Sequence, residues 1–173
     1  MNYSEEIKEI VITKEQIDEK IREYGDLISR EYDGKPLLIV SILNGAFVFC
    51  ADFCRAVTIP CEIGFMAARS YSGTESTGDV EIILDLKQDI SKYHVLIAED
   101  IIDTGRTLTR VIQMLKDRNP LSLKVITLLD KPERRVVDFS ADYVLFTVPD
   151  RFIVGYGLDY DEKYRNLPYI AVI

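Results

Sequence analysis

A chain of 173 residues is long enough for one domain with a substantial core, and 47% hydrophobic against 29% charged residues is the profile of a soluble globular protein. The balance is acidic, 29 Asp and Glu against 21 Lys and Arg, and a formal net charge of −8 argues against nonspecific binding to nucleic acid or an anionic membrane. An anionic substrate must then be held by local donors and a metal rather than by the overall field. No secretory leader and no run of roughly 18 apolar residues is present, so the expected location is cytoplasmic. Cys50, Cys54 and Cys61 are an odd count without a Cys-x-x-Cys pair, expected as reduced small hydrophobes. With His94 as the sole histidine, zinc sites and Ser-His-Asp or Cys-His mechanisms lack their parts. Proton transfer therefore falls to a carboxylate or a lysine, and His94 itself is expected at the surface.

In chain order, a short strand is expected within Ile7 to Ile12. Thr13 and Gln16 form a capping box for a helix reaching about Tyr32, with Ile17, Ile21, Tyr24 and Ile28 on its apolar face. Asp33-Gly34-Lys35-Pro36 is a turn. Leu37 to Ile42 has the unbroken apolar run of a strand buried on both faces, followed by Leu43-Asn44-Gly45 and a helix from about Ala46 to Val57. Cys61 to Ala67 and Val80 to Leu84 are further strands. Arg69 to Asp79 between them has no apolar period and two glycines, the mark of an exposed loop. The strand expected at Leu123 to Leu129 ends in Asp130-Lys131-Pro132, and Tyr143 to Val148 precedes Pro149-Asp150-Arg151-Phe152-Ile153.

The chemistry concentrates between Val95 and Leu108. Val95 to Ala98 is a buried-type strand, and Leu108, Val111, Ile112 and Leu115 fall on one helical face. Glu99, Asp100 and Asp103-Thr104-Gly105-Arg106-Thr107 form the polar turn between them. Thr104 to Thr107 offers hydroxyls, a glycine and free N–H groups at a helix start, which suit a phosphate. Glu99 and Asp100 would repel that phosphate and are matched instead to sugar hydroxyls or a hard divalent cation. A sugar phosphate, with magnesium, satisfies both halves, and Asp103 lies between them. Asp-Thr-Gly is also the triplet of aspartic proteases, which here would need a second chain.

Apolar strand, Glu-Asp, two apolar residues and Asp-Thr-Gly-x-Thr together resemble the 5-phosphoribosyl-1-pyrophosphate (PRPP) site of type I phosphoribosyltransferases. The late stretch PDRFIVGYGLDYDEKYRNLPYI resembles the purine end of their hypoxanthine–guanine branch. The resemblance implies an α/β fold with a central, mainly parallel sheet flanked by helices. A hood would come from the N-terminal segment and roughly 149–173, all within a single domain spanning 1–173. It implies Asp103 as catalytic base; Glu99, Asp100, Asp103, Thr104, Gly105, Arg106 and Thr107 as PRPP contacts; and Leu43, Asn44, Gly45 and Arg165 at pyrophosphate. Many relatives carry Lys at the Asn44 position, often after a cis peptide, so here that cation is missing. Lys131, Phe152, Ile153 and Asp159 would meet the purine, with Glu99, Asp100 and Asp159 toward Mg²⁺. Residues 69–79 would form a lid, including Ser70 and Tyr71. The implied reaction joins hypoxanthine or guanine to PRPP, giving IMP or GMP and pyrophosphate in a homodimer or homotetramer. A PRPP-binding regulatory protein without turnover is the alternative within this fold.

Overall fold

In the computed structural model, which describes residues 6–70 and 80–173, the runs of apolar residues become the middle of one sheet. The elements are β1 (Glu9–Ile12), α1 (Lys14–Glu31), β2 (Leu37–Leu43), α2 (Phe47–Ala56), β3 (Cys61–Ser70), β4 (Val80–Leu84), β5 (His94–Ile102), α3 (Arg106–Lys116), β6 (Ser122–Asp130), β7 (Tyr143–Thr147), β8 (Ile153–Val154) and β9 (Ile170–Val172). The main sheet has the order β4-β3-β2-β5-β6-β7, parallel throughout except for antiparallel β4 at its edge. Strand alternation divides the apolar residues between two layers. Leu96 and Ala98 of β5 face Ile17, Ile21 and Ile28 of α1 and Phe49 and Phe53 of α2. Val95 and Ile97 face Leu108, Val111, Ile112 and Leu115 of α3. Both faces being covered is why these strands read as continuous apolar runs.

A second, three-stranded antiparallel sheet, β1-β9-β8, joins the chain's beginning to its end. Ile12, Ile153, Ile170 and Val172 sink into the α1–α2 layer, so this hood shares the main core. Arg151 also reaches across to Glu9 at 2.6 Å.

Three expectations change. The central strand does not stop at Ala98: β5 runs on to Ile102 because its ladder with β6 continues, Glu99 opposite Thr127 and Ile101 opposite Leu129. Likewise β3 extends through Arg69 and Ser70, which pair with Glu81 and Val80, where a loop was expected from residue 69; the rest of that expected loop, Tyr71 included, lies outside the described residues. His94 is half-buried rather than on the surface, its Nδ1 2.8 Å from Ser122 Oγ and its ring 5.8 Å from that of Tyr32. Cys50 is buried, Cys54 and Cys61 are partly covered, and all three thiols are free.

The capping box at Thr13 is complete: Gln16 N donates to Thr13 Oγ1 at 3.3 Å, and Thr13 N donates to Gln16 Oε1 at 2.8 Å. Thr13→Ala should therefore lower stability by about 1 kcal/mol in denaturant melts.

Candidate active site

Parallel pairing sets the carboxyl ends of β2, β5, β6 and β7 along one edge, and the chemistry-bearing loops leave from there. After β5 the chain turns through Asp103 and Thr104 to Gly105, which takes φ +80° and opens α3. Gly105 has no side chain to cap the helix, which leaves first-turn amides without a cap; among the described residues the one side-chain bond to them is a long one, Arg106 N to Thr104 Oγ1 at 3.5 Å. A Cβ on Gly105 would lie 2.8 Å from Val137 Cγ2, which pins the turn against the segment after β6. Beside it lies a cavity of about 190 Å³, lined by Glu99, Ile101, Ile102, Asp103, Thr104, Gly105, Thr107 and Leu108. Donors at a helix start, with a carboxylate at the rim, suit a phosphate carried on a hydroxylated body. The Arg106 side chain is exposed.

The acidic pair lies on successive strand positions and so points to opposite faces of the sheet. Glu99 lines the α3-side cavity; Asp100 lines another, of about 320 Å³, with Asp103, Lys131, Phe152, Ile153 and Asp159. Both carboxyls are short of partners. Glu99 Oε2 is enclosed without a hydrogen bond, and burial, then the neighbouring Asp100 charge, raises its pKa well above the carboxylate range. Asp100 is 8% exposed, and burial pushes its pKa up to about 6, against the opposing pull of the Ile101 N–H at 2.9 Å and the Arg165 charge. Buried carboxyls starved of donors fit a site that a hard cation completes. Among the described residues no three His, Cys, Asp or Glu side chains form a metal cluster, so such a cation would draw further ligands from substrate oxygens.

Leu43-Asn44-Gly45 enters the same crevice through a cis Leu43–Asn44 peptide, with Asn44 exposed. Gly45 presses on Asp100: a Cβ there would sit 1.8 Å from Oδ2. Arg165 and Asp159 form an ion pair at 2.9 Å; Arg165 also donates to Gly157 O at 2.8 Å and meets Glu162 at 3.3 Å. Lys131 is 8% exposed; its ammonium donates to Arg151 O at 2.6 Å and lies 3.8 Å from Asp150. Phe152 is open to solvent, its ring edge-on to Tyr160 at 5.5 Å, while Ile153 is buried in the hood. Asp103 lines both cavities.

Sequence reasoning missed the two arginines after Lys131. Arg134 Nε donates to Asp103 Oδ1 at 2.9 Å, and Arg135 Nη1 donates to Asp103 O at 2.6 Å while pairing with Asp130. The signal available was the charge run Asp130-Lys131-Pro132-Glu133-Arg134-Arg135 at a strand's carboxyl end. The same geometry removes the aspartic-protease reading, because helix α3 follows the glycine and the Asp103 carboxylate is held by an arginine.

Residues 8–161 match the phosphoribosyl transferase domain family. The chain is 48% identical over 167 residues to a hypoxanthine phosphoribosyltransferase of Buchnera aphidicola, covering 95% of this chain and 94% of that protein. It is 46% identical over 169 residues to a hypoxanthine-guanine phosphoribosyltransferase of Streptococcus pneumoniae, covering 97% and 94%. A crystal structure of a hypoxanthine phosphoribosyltransferase from Staphylococcus aureus superposes with a TM-score of 0.95 at 46% identity, covering 98% of this chain and 92% of that one. The chain belongs to the phosphoribosyl transferase domain family, and its fold is the type I phosphoribosyltransferase fold.

The Asp100 carboxyl yields a stability test. A carboxyl whose folded pKa is raised stabilises the fold below its unfolded value, roughly 3.9, and loses that contribution as pH rises through about 6. In thermal melts of the ligand-free protein, Asp100→Asn should therefore gain on wild type as pH goes from 4.5 to 8. The gain should be on the order of 1 kcal/mol, or ~2–4 °C. An offset independent of pH would remove burial of Asp100 as its cause.

Proposed function

We propose that the protein transfers the 5-phosphoribosyl group of PRPP to hypoxanthine or guanine, releasing pyrophosphate and forming IMP or GMP. The observation that carries this is one carboxylate, Asp103, shared by two cavities of different chemistry. One has an uncapped helix start for a phosphate; the other has a buried lysine and an open aromatic ring for a flat heterocycle. The relatives named above carry the same activity in their names.

On this reading the α3 amides, Thr104 and Thr107 take the 5-phosphate, Glu99 and Asp100 face the ribose, and Leu43, Asn44, Gly45 and Arg165 meet pyrophosphate. Mg²⁺ would be held by Asp100 and Asp159 on the hood side with substrate oxygens completing its shell, and would supply charge neutralisation for the leaving pyrophosphate, while Glu99, expected as a third ligand, lines the other cavity. The purine lies on Phe152, with the Ile153 backbone at its N1–H edge and Lys131 at O6. Lys131 has the donor for this, since its ammonium carries three N–H groups and Arg151 O takes one. As pyrophosphate departs, positive charge grows at the ribose C1′, next to the carboxylates that line the crevice. Asp103 accepts the imidazole proton of the purine as N9 bonds to C1′.

No helix is long and apolar enough to cross a membrane among the described residues, and free thiols support a cytoplasmic setting. Exposed Ile63 and Phe65 on β3 and Ile83 on β4 support a homodimer or homotetramer.

PRPP-dependent pyrophosphate release tests the reading, with hypoxanthine, guanine, xanthine and adenine as acceptors. Chelating the divalent cation should abolish it, and a silent PRPP-binding protein would release none with any base. Adenine presents an amino donor at C6 and a bare acceptor at N1, opposing Lys131 and the Ile153 carbonyl. Each unpaired group costs about 1–3 kcal/mol in a closed site, so adenine should be a very poor acceptor. Lys131→Met should depress hypoxanthine and guanine use together; a variant indifferent for both would move the purine pocket elsewhere.

A further inference from the structure

A chain of opposite charges runs along the crevice between the two cavities. Asp103, in the loop after β5, accepts from Arg134 Nε at 2.9 Å; Arg134 Nη1 lies 3.6 Å from Asp150; Asp150 lies 3.8 Å from Lys131. Its ends are the group assigned to proton transfer and the group assigned to purine O6. Arg134 stands in the single 3-10 turn Pro132–Arg134, which follows Lys131 directly. Arg135, next along, is occupied with the backbone: it donates to Asp103 O at 2.6 Å and to Phe139 O at 3.1 Å. The peptide carrying Asp103 is thus fixed by Arg135, which leaves Arg134 to set the direction of its carboxylate.

We propose that Arg134 is a positioning residue for the transfer. It grips one oxygen of Asp103, aims the other at the purine, and ties Asp103 to the purine-side loop through Asp150. The proposal rests on Asp103 being the proton acceptor. Among the described residues a side chain engages Asp103 only at Oδ1, and the residue lines both cavities. A guanidinium suits the task because it stays protonated: it orients the carboxylate without competing as a base. The pair is nearly half exposed, 47% for Arg134 and 45% for Asp103, so it adds little to stability. An interaction that holds the reacting carboxylate and hardly stabilises the fold is one whose worth lies in geometry.

The test is a double-mutant cycle on the whole protein, measuring pyrophosphate release with saturating PRPP, Mg²⁺ and hypoxanthine. Arg134→Gln should lower kcat about 10–100-fold, the scale of a small misplacement of a reacting group, while KM for PRPP moves little. In the Asp103→Asn background the same change should cost less than about twofold, since the residue it acts through is gone. Arg134→Lys should recover part of the loss, restoring the charge without the fork. Melting temperatures should match wild type. Additive losses in the double variant would overturn the proposal, as would an Arg134→Gln enzyme as fast as wild type or faster, which would make the contact a resting latch. Wild-type turnover by Asp103→Asn alone would instead overturn the assignment of Asp103 as base.

Discussion

The crevice depends on a close approach at Gly45, whose backbone meets that of Gly157 on one side and the Asp100 carboxylate on the other. A Cβ on Gly45 would fall 1.8 Å from the Asp100 carboxylate, and a Cβ on Gly157, at φ +101°, would fall 2.2 Å from Gly45 O. The β2–α2 turn therefore closes backbone to backbone on the hood at Gly157 and directly onto the Asp100 carboxylate at the end of β5. Two bonds clamp the arrangement from outside: Tyr156 hydroxyl to Asp52 on α2, and Arg165 to Gly157 O at 2.8 Å. The electrostatic consequence is direct. Sealed by backbone on one side, Asp100 loses its water, and its pKa climbs to about 6. Leaving buried carboxyls without partners costs stability, and the site carries that cost until a cation or hydroxyl donors arrive.

Strand alternation then gives one strand end two functions. Glu99 belongs to the α3 side and Asp100 to the hood side, so adjacent residues reach different parts of a ligand lying across the sheet edge. Asp103 comes after the ladder with β6 has ended at Ile102, where the chain is free to leave the sheet plane and line both cavities. Holding a carboxylate there needs support from outside the strand, and the Lys131–Val136 segment supplies it: Lys131 N donates to Ile102 O at 3.0 Å and Val136 N to Thr104 O at 3.2 Å. Base-side and phosphate-side groups are thus built onto one rigid edge rather than onto independent loops.

What was legible in the sequence was what depends on neighbours along the chain. The capping box at Thr13, the apolar face of α3 and the apolar runs of β2, β5 and β6 formed where their patterns placed them, because burial on one or both faces writes itself into local spacing. Strand ends were less legible: β5 holds Glu99 and Asp100 and β3 holds Arg69, since ladder pairing with a neighbour overrides side-chain polarity. The polar partners of the site were the least legible. Nothing in the spacing of Arg134 and Asp103 says that they meet, and Arg165 and Asp159, assigned separate ligands from the resemblance, turn out to be paired with each other.

That pairing bears on how a polyanion is held by an acidic protein. Asn44 brings no charge to the pyrophosphate loop, and Arg165 is already shared between Asp159 and Glu162 and only 21% exposed along its side chain. Lys131 and Arg134 are likewise engaged by Asp150 and Asp103. Among the described residues Lys131, Arg134 and Arg165 are thus each balanced by a carboxylate, while Glu99 and Asp100 make no direct ion pair, Asp100 feeling only the nearby Arg165 charge. A bare pyrophosphate group meets little net attraction in such a place. A divalent cation bound at Asp100 would act twice, satisfying that buried carboxyl and reducing the charge of the phosphates. Asp159 released toward such a cation would also free one side of Arg165 for phosphate oxygens. On the proposed reading, the ion pair between them would link metal capture to anion capture through an exchange of partners, where Asn44 supplies no fixed positive charge.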